Sequence, residues 1–229
     1  MGFTHKTMIK KQKIQQIVNC FETGKLNGDY GQISIFNDGK NGAKQLTYGR
    51  SQCTSEGALL ILLKRYSANE NGQFSKDISY CLSWSKTDSR WATDKKLHNL
   101  LQKAGDDPVM REVQDQFFDD IYFNPAMKWA ETNGFSSNLA RLVIYDSFIH
   151  SGGILDFLRK RFAAATPKNG GSEEEWITQY VNVRHAWLVN HSNKILRNTV
   201  CRTNDMKRAI SAKDWNLDLT FSANGIKVP

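Results

Sequence analysis

Two acidic side chains near the start of the chain stand where elements of secondary structure should end. Glu22 lies in the last turn of a helical pattern that stops at Gly24, and Asp38 follows a short strand on an Asn-Asp-Gly turn. Carbonyl groups at a helix C-terminus disfavour ionisation of Glu22, and apolar shielding by Phe21 acts in the same direction. A polar turn with open amides favours the ionised form of Asp38. One carboxyl group held neutral and one held charged is the arrangement that glycoside hydrolysis requires.

Both carboxylates also have a structural interpretation. A glutamate near a helix end is usually solvated, and Asp-Gly is a common turn dipeptide. The spacing of Glu22 and Asp38 therefore leaves both interpretations open. Asp119 and Asp120 lie together on a predicted helix and would suit an acidic or metal subsite, although surface exposure is the commoner use of such residues.

A buried charge network is predicted from the second half of the chain. Asp146 lies in the apolar helical stretch IYDSFIHSGG, and a buried aspartate needs a cationic partner. Arg184, within YVNVRHAWLV, and Arg202 are the candidates. They form either a structural ion pair or a charge network next to the general acid. His150 shares a helix face with Asp146 and is interpreted as a hydrogen-bonded structural residue.

The elements that position the two acids can be predicted from hydrophobic periodicity. Apolar residues at helical spacing indicate a helix over residues 8–22, with Gly24 as its left-handed stop. A strand in YGQISIF, residues 30–36, is expected to pair with residues 45–49 across the glycine-containing loop 37–44. The result is a small antiparallel sheet.

From about residue 55 onward the pattern is mainly helical. The predicted helices are SEGALLILLKRYS with Thr54 or Ser55 as cap, DKKLHNLLQKAG, a run beginning at Asp107-Pro108, NLARLVIYDSFIHSGG, and SEEEWITQYVNVRHAWLVNH. Pro125 should break or bend the third of these. Residues 195–229 are mixed in pattern and are expected to end in loops.

Length and composition fit one large domain, or two lobes with a real core, over residues 1–229. The expected fold class is mainly α with a small antiparallel β-sheet. The N-terminal lobe carries the sheet, at about residues 20–60, and the larger helical lobe covers about residues 60–229.

The net charge of +8 favours anionic partners, but the bases are scattered and match no nucleic-acid-binding module. Four cysteines without C-x-x-C pairing predict no metal centre, and they allow disulfides without requiring them. No apolar run is long enough to cross a membrane. Residues 1–12 lack the apolar stretch of a signal peptide. We therefore expect no cofactor, no nucleic-acid or membrane partner, and a monomer.

The stretch DDIYFNPAMKWAETNGFSSNLARLVIYDSFIHSGG resembles the family 46 glycoside hydrolases, which are chitosanases of the lysozyme-like superfamily. The loop and helix ATPKNGGSEEEWITQYVNVRHAWL and the WNLDL motif near the end resemble the same family in chain order. The resemblance implies that Glu22 is the catalytic acid, Asp38 the catalytic base and Thr47 the residue that positions the attacking water. It also implies that Asp146, Arg184 and Arg202 form the network behind the acid.

The resemblance implies a single catalytic domain over residues 1–229, with a lysozyme-like α+β fold and two lobes around a substrate cleft. It also implies inverting hydrolysis of chitosan by a secreted enzyme that needs no cofactor. Substrate contacts are expected to differ from the family pattern, because the loop after Asp38 is longer and His191 stands near an acidic family position. Candidate substrate-binding residues are Asp29, Lys40, Tyr48, Glu56 and His150, and Asp119 and Asp120 are further candidates for an acidic cleft. Peptidoglycan remains an alternative substrate, and a non-catalytic basic module that binds polysaccharide or nucleic acid is a second alternative.

Overall fold

The computed structural model describes residues 10–50 and 52–229, so the predicted start of the first helix at residue 8 and most of the segment 1–12 lie outside it. The described chain contains α1 (Lys11–Thr23), β1 (Ile33–Phe36), β2 (Gln45–Tyr48), β3 (Cys53–Thr54), α2 (Leu59–Ser67), α3 (Ser75–Ile78), α4 (Arg90–Thr93), α5 (Lys95–Ala104), α6 (Pro108–Phe118), α7 (Asn124–Thr132), α8 (Asn138–Ser151), α9 (Asp156–Arg159), α10 (Glu173–Val189), α11 (Lys194–Arg197), α12 (Cys201–Ser211), β4 (Phe221–Ala223) and β5 (Ile226–Val228). This content confirms the predicted class, mainly α with a small antiparallel sheet.

The chain divides into two compact units. The helical unit contains the described residues up to Leu26 together with Asp120–Pro229, and the sheet unit is Asn27–Asp119. This division differs from the predicted lobe boundary near residue 60. The reason is that α4 packs on β2 and α5 packs on β1, so the first helices after the sheet belong with it.

The sheet unit is built around a three-stranded antiparallel sheet in the order β1-β2-β3. The predicted hairpin is confirmed, with Ser34 opposite Thr47 and Phe36 opposite Gln45. The third strand was not predicted, because two residues are too few to show a period. Side chains alternate along a strand, so Leu46 and Tyr48 enter the core while Gln45 and Thr47 share the opposite face.

The core of the helical unit surrounds α8. Ten consecutive residues of this helix, Asn138–Ser147, are buried, which is expected for a helix enclosed by neighbours on all sides. Its neighbours include α1, α7, α10 and α12, and the hairpin of β4 and β5 packs against α1. Polar groups on α8 therefore need partners from the surrounding helices, which is the condition that forms the charge network described below.

Most of the predicted helix ends are found at the capping and helix-stopping residues that the sequence indicates. Gly24 ends α1 in a left-handed conformation, Ser172 caps α10, and Asp107 caps α6 ahead of Pro108. A short π-helical segment, Asp119–Phe123, interrupts the chain just before Pro125, as the proline predicted.

The predicted cap of α2 is wrong. The helix begins at Leu59 without a side-chain cap. The Thr54 hydroxyl instead accepts from the Gly57 N–H, and the buried Ser55 hydroxyl accepts from the Leu46 N–H, so both are used before the helix starts.

The C-terminal region is more regular than predicted. Residues 221–228 form the hairpin of β4 and β5 rather than loops. Asn224 and Gly225 both have positive φ, which is the turn chemistry of a tight hairpin.

All four cysteines are described, and none is paired in a disulfide. Cys20 is fully buried in the core of the helical unit. No helix in residues 10–50 and 52–229 is both long enough and apolar enough to cross a membrane.

Candidate active site

One group of candidate residues lies at the C-terminal end of α1, where Gly24 stops the helix. Glu22 occupies the last turn, and its side chain is 14% exposed. Its Oε1 accepts a hydrogen bond of 2.9 Å from Nη2 of Arg202, the second residue of α12. The Arg202 guanidinium also stacks over the Phe21 ring at 5.4 Å. Phe21 therefore shields the arginine that holds the carboxyl group.

A buried ion network continues behind Glu22. Arg202 Nη1 donates to Asp146 Oδ1 at 2.8 Å, and Arg184 Nη1 donates to Asp146 Oδ2 at 2.6 Å. Asp146 is fully buried, and the side chains of Arg184 and Arg202 are 1% and 3% exposed. The structure thus brings together the three residues predicted for the network and joins them to Glu22.

Burial and the ion network act together on the ionisation of Glu22. Burial raises the pKa of the Glu22 carboxyl group above its usual value, and this effect exceeds the lowering by Arg202. Asp146 adds a smaller increase, because its negative charge opposes a second one nearby. Arg202 divides its guanidinium between two carboxylates, so it cannot fully stabilise ionised Glu22. The arrangement suits a carboxyl group that keeps its proton and acts as a general acid.

His150 lies in the same unit, and each of its two ring nitrogens has a hydrogen-bond partner. Its Nδ1 lies 3.1 Å from the Ser151 hydroxyl and its Nε2 lies 3.1 Å from the Thr199 hydroxyl. Burial lowers the pKa of His150, and the positive charges of Arg202 and Arg184 lower it further. The ring is therefore neutral near pH 7, as expected for a hydrogen-bonded structural histidine.

A second group of candidate residues lies on the sheet unit. Asp38 is exposed, and its Oδ1 accepts a 2.8 Å hydrogen bond from Nε2 of Gln45 at the start of β2. Thr47, two residues further along β2, is 4% exposed. Its Oγ1 lies 2.7 Å from Gln52 Oε1 and 3.1 Å from the Ser34 carbonyl oxygen.

Gln52 fixes the hydroxyl of Thr47. Its Nε2 donates to the Gly49 carbonyl at 3.1 Å, so its Oε1 is the atom that faces Thr47. Because both neighbours of the Thr47 hydroxyl are acceptors, its single proton is committed to one of them. The remaining lone pairs of Oγ1 can accept a hydrogen bond from a water molecule.

The loop that carries Asp38 is held by backbone contacts. Gly39 N–H donates to the Ala43 carbonyl at 3.0 Å, and both carboxylate oxygens of Glu56 lie 3.0 Å from the Lys40 nitrogen. A Cβ atom on Gly39 would lie 2.3 Å from Glu56 Oε1 and 2.8 Å from the Ala43 oxygen. Gly39 is therefore required by close packing, and its φ of −71° is open to any residue.

We expect Gly39→Ala to lower activity with a smaller loss of stability. The added methyl group must displace Glu56 or the Ala43 carbonyl, and this shifts Asp38, which directly precedes Gly39. A displacement of about 1 Å costs up to about 10²-fold in rate. The measurements are kcat on a soluble β-1,4-glucosamine oligomer and Tm.

Lys44→Ala is the control, because Lys44 is an exposed residue of the same loop region. It should leave both quantities unchanged. Unchanged activity in Gly39→Ala would contradict the requirement for a fixed loop.

The other predicted substrate-binding residues differ in their exposure and in their hydrogen-bond partners. Asp29 is half-buried, and its carboxylate accepts from the Gly31 N–H. Glu56 is half-buried and holds the Lys40 N–H, and the Lys40 side chain is exposed. The prediction for Tyr48 is wrong, because this side chain is fully buried and its hydroxyl donates to the Leu101 carbonyl.

Asp119 and Asp120 belong to the π-helical segment, where Asp119 is half-buried and Asp120 is exposed. In the part of the chain that the structure describes, no group of three or more His, Cys, Asp or Glu side chains is placed to hold a metal ion.

Sequence reasoning missed the two glutamines, Gln45 and Gln52. The alternation in QLTY could have indicated Gln45, because the polar residues 45 and 47 alternate with apolar ones. No sequence signal indicates Gln52, whose φ of 51° places its side chain in an unusual direction for a residue other than glycine.

A family model and a relative of known activity both match most of this chain. The model of the family described as Glycosyl hydrolase family 46 matches residues 16–221. A chitosanase from Bacillus subtilis (strain 168) is 26% identical over 225 residues, covering 91% of this chain and 79% of that protein.

Two solved structures establish the fold. A mutant chitosanase from Bacillus subtilis MY002 complexed with 6 GlcN has a TM-score of 0.81 at 24% identity, covering 100% of both chains. A family 46 chitosanase from Gynuella sunshinyii in complex with chitotetraose has a TM-score of 0.79 at 23% identity, covering 100% of this chain and 99% of that one. This likeness confirms the predicted α+β, lysozyme-like fold class.

Proposed function

Since the chain belongs to glycosyl hydrolase family 46, we propose that it is an endo-acting enzyme that hydrolyses the β-1,4 glucosaminyl linkages of chitosan. The observation that carries the proposal is the position of Glu22 at the end of α1, where burial raises its pKa while Arg202 of the ion network holds the carboxyl group. The relatives named as chitosanases support the same substrate. A glycosidase family leaves no role for the non-catalytic binding module considered from the sequence.

In the proposed mechanism, Glu22 donates its proton to the leaving glycosidic oxygen. Asp38 accepts a proton from a water molecule that attacks the anomeric carbon from the opposite face of the sugar. Thr47 orients this water, because its proton is committed to an acceptor and its lone pairs remain available. A single displacement of this kind inverts the anomeric configuration.

Charge does not exclude a cationic polymer. The chain carries a net charge of +8, but screening limits repulsion between exposed charges to about 8–10 Å at ordinary ionic strength. Local carboxylates then decide which polymer binds. Asp29, Glu56, Asp119 and Asp120 are the acidic residues we propose for contacts with glucosamine amines.

Peptidoglycan is the second candidate substrate, because the net charge of +8 favours an anionic polymer. The two substrates are separated by incubating the protein with chitosan and with purified peptidoglycan and measuring new reducing ends. We expect release from chitosan. Release from peptidoglycan alone would replace the proposal with a wall-lytic function, and release from neither would overturn it.

The stereochemistry of the first product tests the mechanism independently. Proton NMR during hydrolysis of a glucosamine oligomer should show the α anomer before mutarotation, because the β linkage is inverted. Initial formation of the β anomer would contradict single displacement. We also propose that the enzyme acts as a secreted monomer, since its polymeric substrate lies outside the cell.

A further inference from the structure

The side chain of Gln45 lies in an unfavourable position for a structural residue. It is 8% exposed at the start of β2, and its Nε2 donates to Asp38 Oδ1 at 2.8 Å. A carboxylate accepts and does not donate, so the amide nitrogen must face Asp38. The orientation of the amide is therefore fixed by chemistry.

The other end of the same amide has no hydrogen-bond partner within residues 10–50 and 52–229. Gln45 Oε1 is buried there without a donor. A buried unsatisfied polar atom costs stability, and an apolar side chain of similar shape would avoid this cost. Stability alone therefore does not explain a glutamine at this position.

The placement of Gln45 links Asp38 to the most constrained strand of the sheet. β2 is paired with β1 on one side and β3 on the other. Gln45 and Thr47 share one face of β2, because they are two residues apart. The positions of the Asp38 carboxylate and the Thr47 hydroxyl are thus both set by the same strand, β2.

We propose that Gln45 is a positioning residue that holds the Asp38 carboxylate in the orientation needed to activate water. This inference rests on the proposed function and adds a determinant of the base that sequence reasoning did not identify. Without the amide, the exposed Asp38 side chain is free to rotate about its own bonds. The pairing of Asp38 with Thr47 then no longer has a fixed geometry.

The test is Gln45→Met, which keeps the length of the side chain and removes both polar atoms. We expect kcat on a glucosamine oligomer to fall about 10–100-fold, the range for a misplaced catalytic group, with KM unchanged. Tm should stay equal or rise, because the unsatisfied Oε1 is removed. A fall in Tm together with kcat would overturn the proposal in favour of a structural tether.

Gln116→Met is the matched control. Gln116 is an exposed residue of the same unit, and its amide also donates to a carboxylate, that of Glu112, at 3.0 Å. Its kcat and KM should equal those of the unaltered protein. A kcat of Gln45→Met that resembles the control would also overturn the proposal.

Gln45→Glu gives a second test, the pH dependence of kcat, which would not change if Gln45 had only a structural role. A second carboxylate beside Asp38 makes it harder for both to be ionised, so the acid limb of the kcat profile should move to higher pH. Lys40 and Lys44 of the same loop, and Glu56, which accepts from the Lys40 N–H, are the same in every variant. An unmoved acid limb would contradict the assigned contact.

A measurement without turnover separates this inference from the proposed function. Three-bond NMR couplings at Asp38 should report one χ1 rotamer in the unaltered protein and averaging in Gln45→Met. If the unaltered protein fails to cleave chitosan, the proposed function fails, and the couplings still decide whether Gln45 orders Asp38. Identical couplings in the two proteins would refute the inference.

Discussion

Turnover of chitosan should fall by roughly 10²–10⁴-fold, the contribution of a general acid or base, when Glu22 is replaced by Gln. The amide keeps an oxygen that can accept from Arg202, so the network and the fold should persist. It has no proton that it can donate to the leaving oxygen at neutral pH. Steady-state kinetics should show the loss of kcat, and calorimetry of oligomer binding should show that the affinity is retained.

The same variant should be more stable than the unaltered protein at neutral pH. Burial raises the pKa of Glu22 in the folded state above the unfolded value of about 4.3. The folded protein therefore holds a proton that the unfolded chain has released, and the free energy of unfolding falls as pH rises through this window. Glu22→Gln removes this loss, so the two curves of unfolding free energy against pH should coincide below about pH 4, separate as the pH rises, and stay a constant distance apart above the folded pKa.

Glu112→Gln is the matched control for the acid. Glu112 is an exposed residue of α6, so this substitution should change neither kcat nor the pH dependence of stability. Turnover by Glu22→Gln comparable to that of Glu112→Gln would remove Glu22 from the mechanism. Normal turnover and equal stability at every pH would contradict the ionisation described for α1.

The second large effect is expected from Asp146→Asn. This change leaves Arg184 and Arg202 buried without the carboxylate that joins them. Removing one partner of a buried ion pair costs about 3–5 kcal/mol, because the remaining charge is uncompensated. Urea unfolding followed by tryptophan fluorescence gives the change in the free energy of unfolding.

Asp146→Asn should also alter the pH dependence of activity. Burial raises the pKa of Glu22, Arg202 and Arg184 lower it, and Asp146 raises it. Without the charge of Asp146, the arginines act on Glu22 alone and its pKa falls. The basic limb of the kcat profile should therefore move to lower pH, since the acid loses its proton earlier.

Two further variants test whether the effect of Asp146→Asn comes from the buried charges. Asp218→Asn breaks the exposed pair between Asp218 and Lys10, and it should cost at most about 1 kcal/mol. Arg184→Met added to Asp146→Asn should recover part of the lost stability, because one uncompensated charge is removed. A loss equal to that of Asp218→Asn would show that the buried network contributes little.

Much of the helical unit could be predicted because its signals are local. Glycine stops, serine and aspartate caps and the apolar run of α8 are all signals within a few residues. The ion network could be predicted because an aspartate in an apolar helix demands a cation, and few arginines lie in comparable patterns. The extra strand β3 and the C-terminal hairpin were missed because each strand is only two or three residues long.

The residues that orient the base could not be predicted in the same way. The contact between Gln45 and Asp38 depends on how the loop from Asp38 to Ala43 closes, which is a tertiary result. Gln52 depends on a backbone conformation that glutamine rarely adopts. Tyr48 was misplaced because one residue of register decides which face of a strand meets the core.

The helical unit is assembled from both ends of the chain, and this has a consequence for biosynthesis. Glu22 and Arg202 are separated by 180 positions, and α1 packs on the hairpin of β4 and β5 at the C-terminus. During translation the intervening sheet unit is complete before these partners emerge, because domains generally fold as units in the order of synthesis. The nascent polypeptide therefore carries an ordinary solvated glutamate at residue 22, and this side chain becomes a proton donor only after Arg202 has emerged from the ribosome.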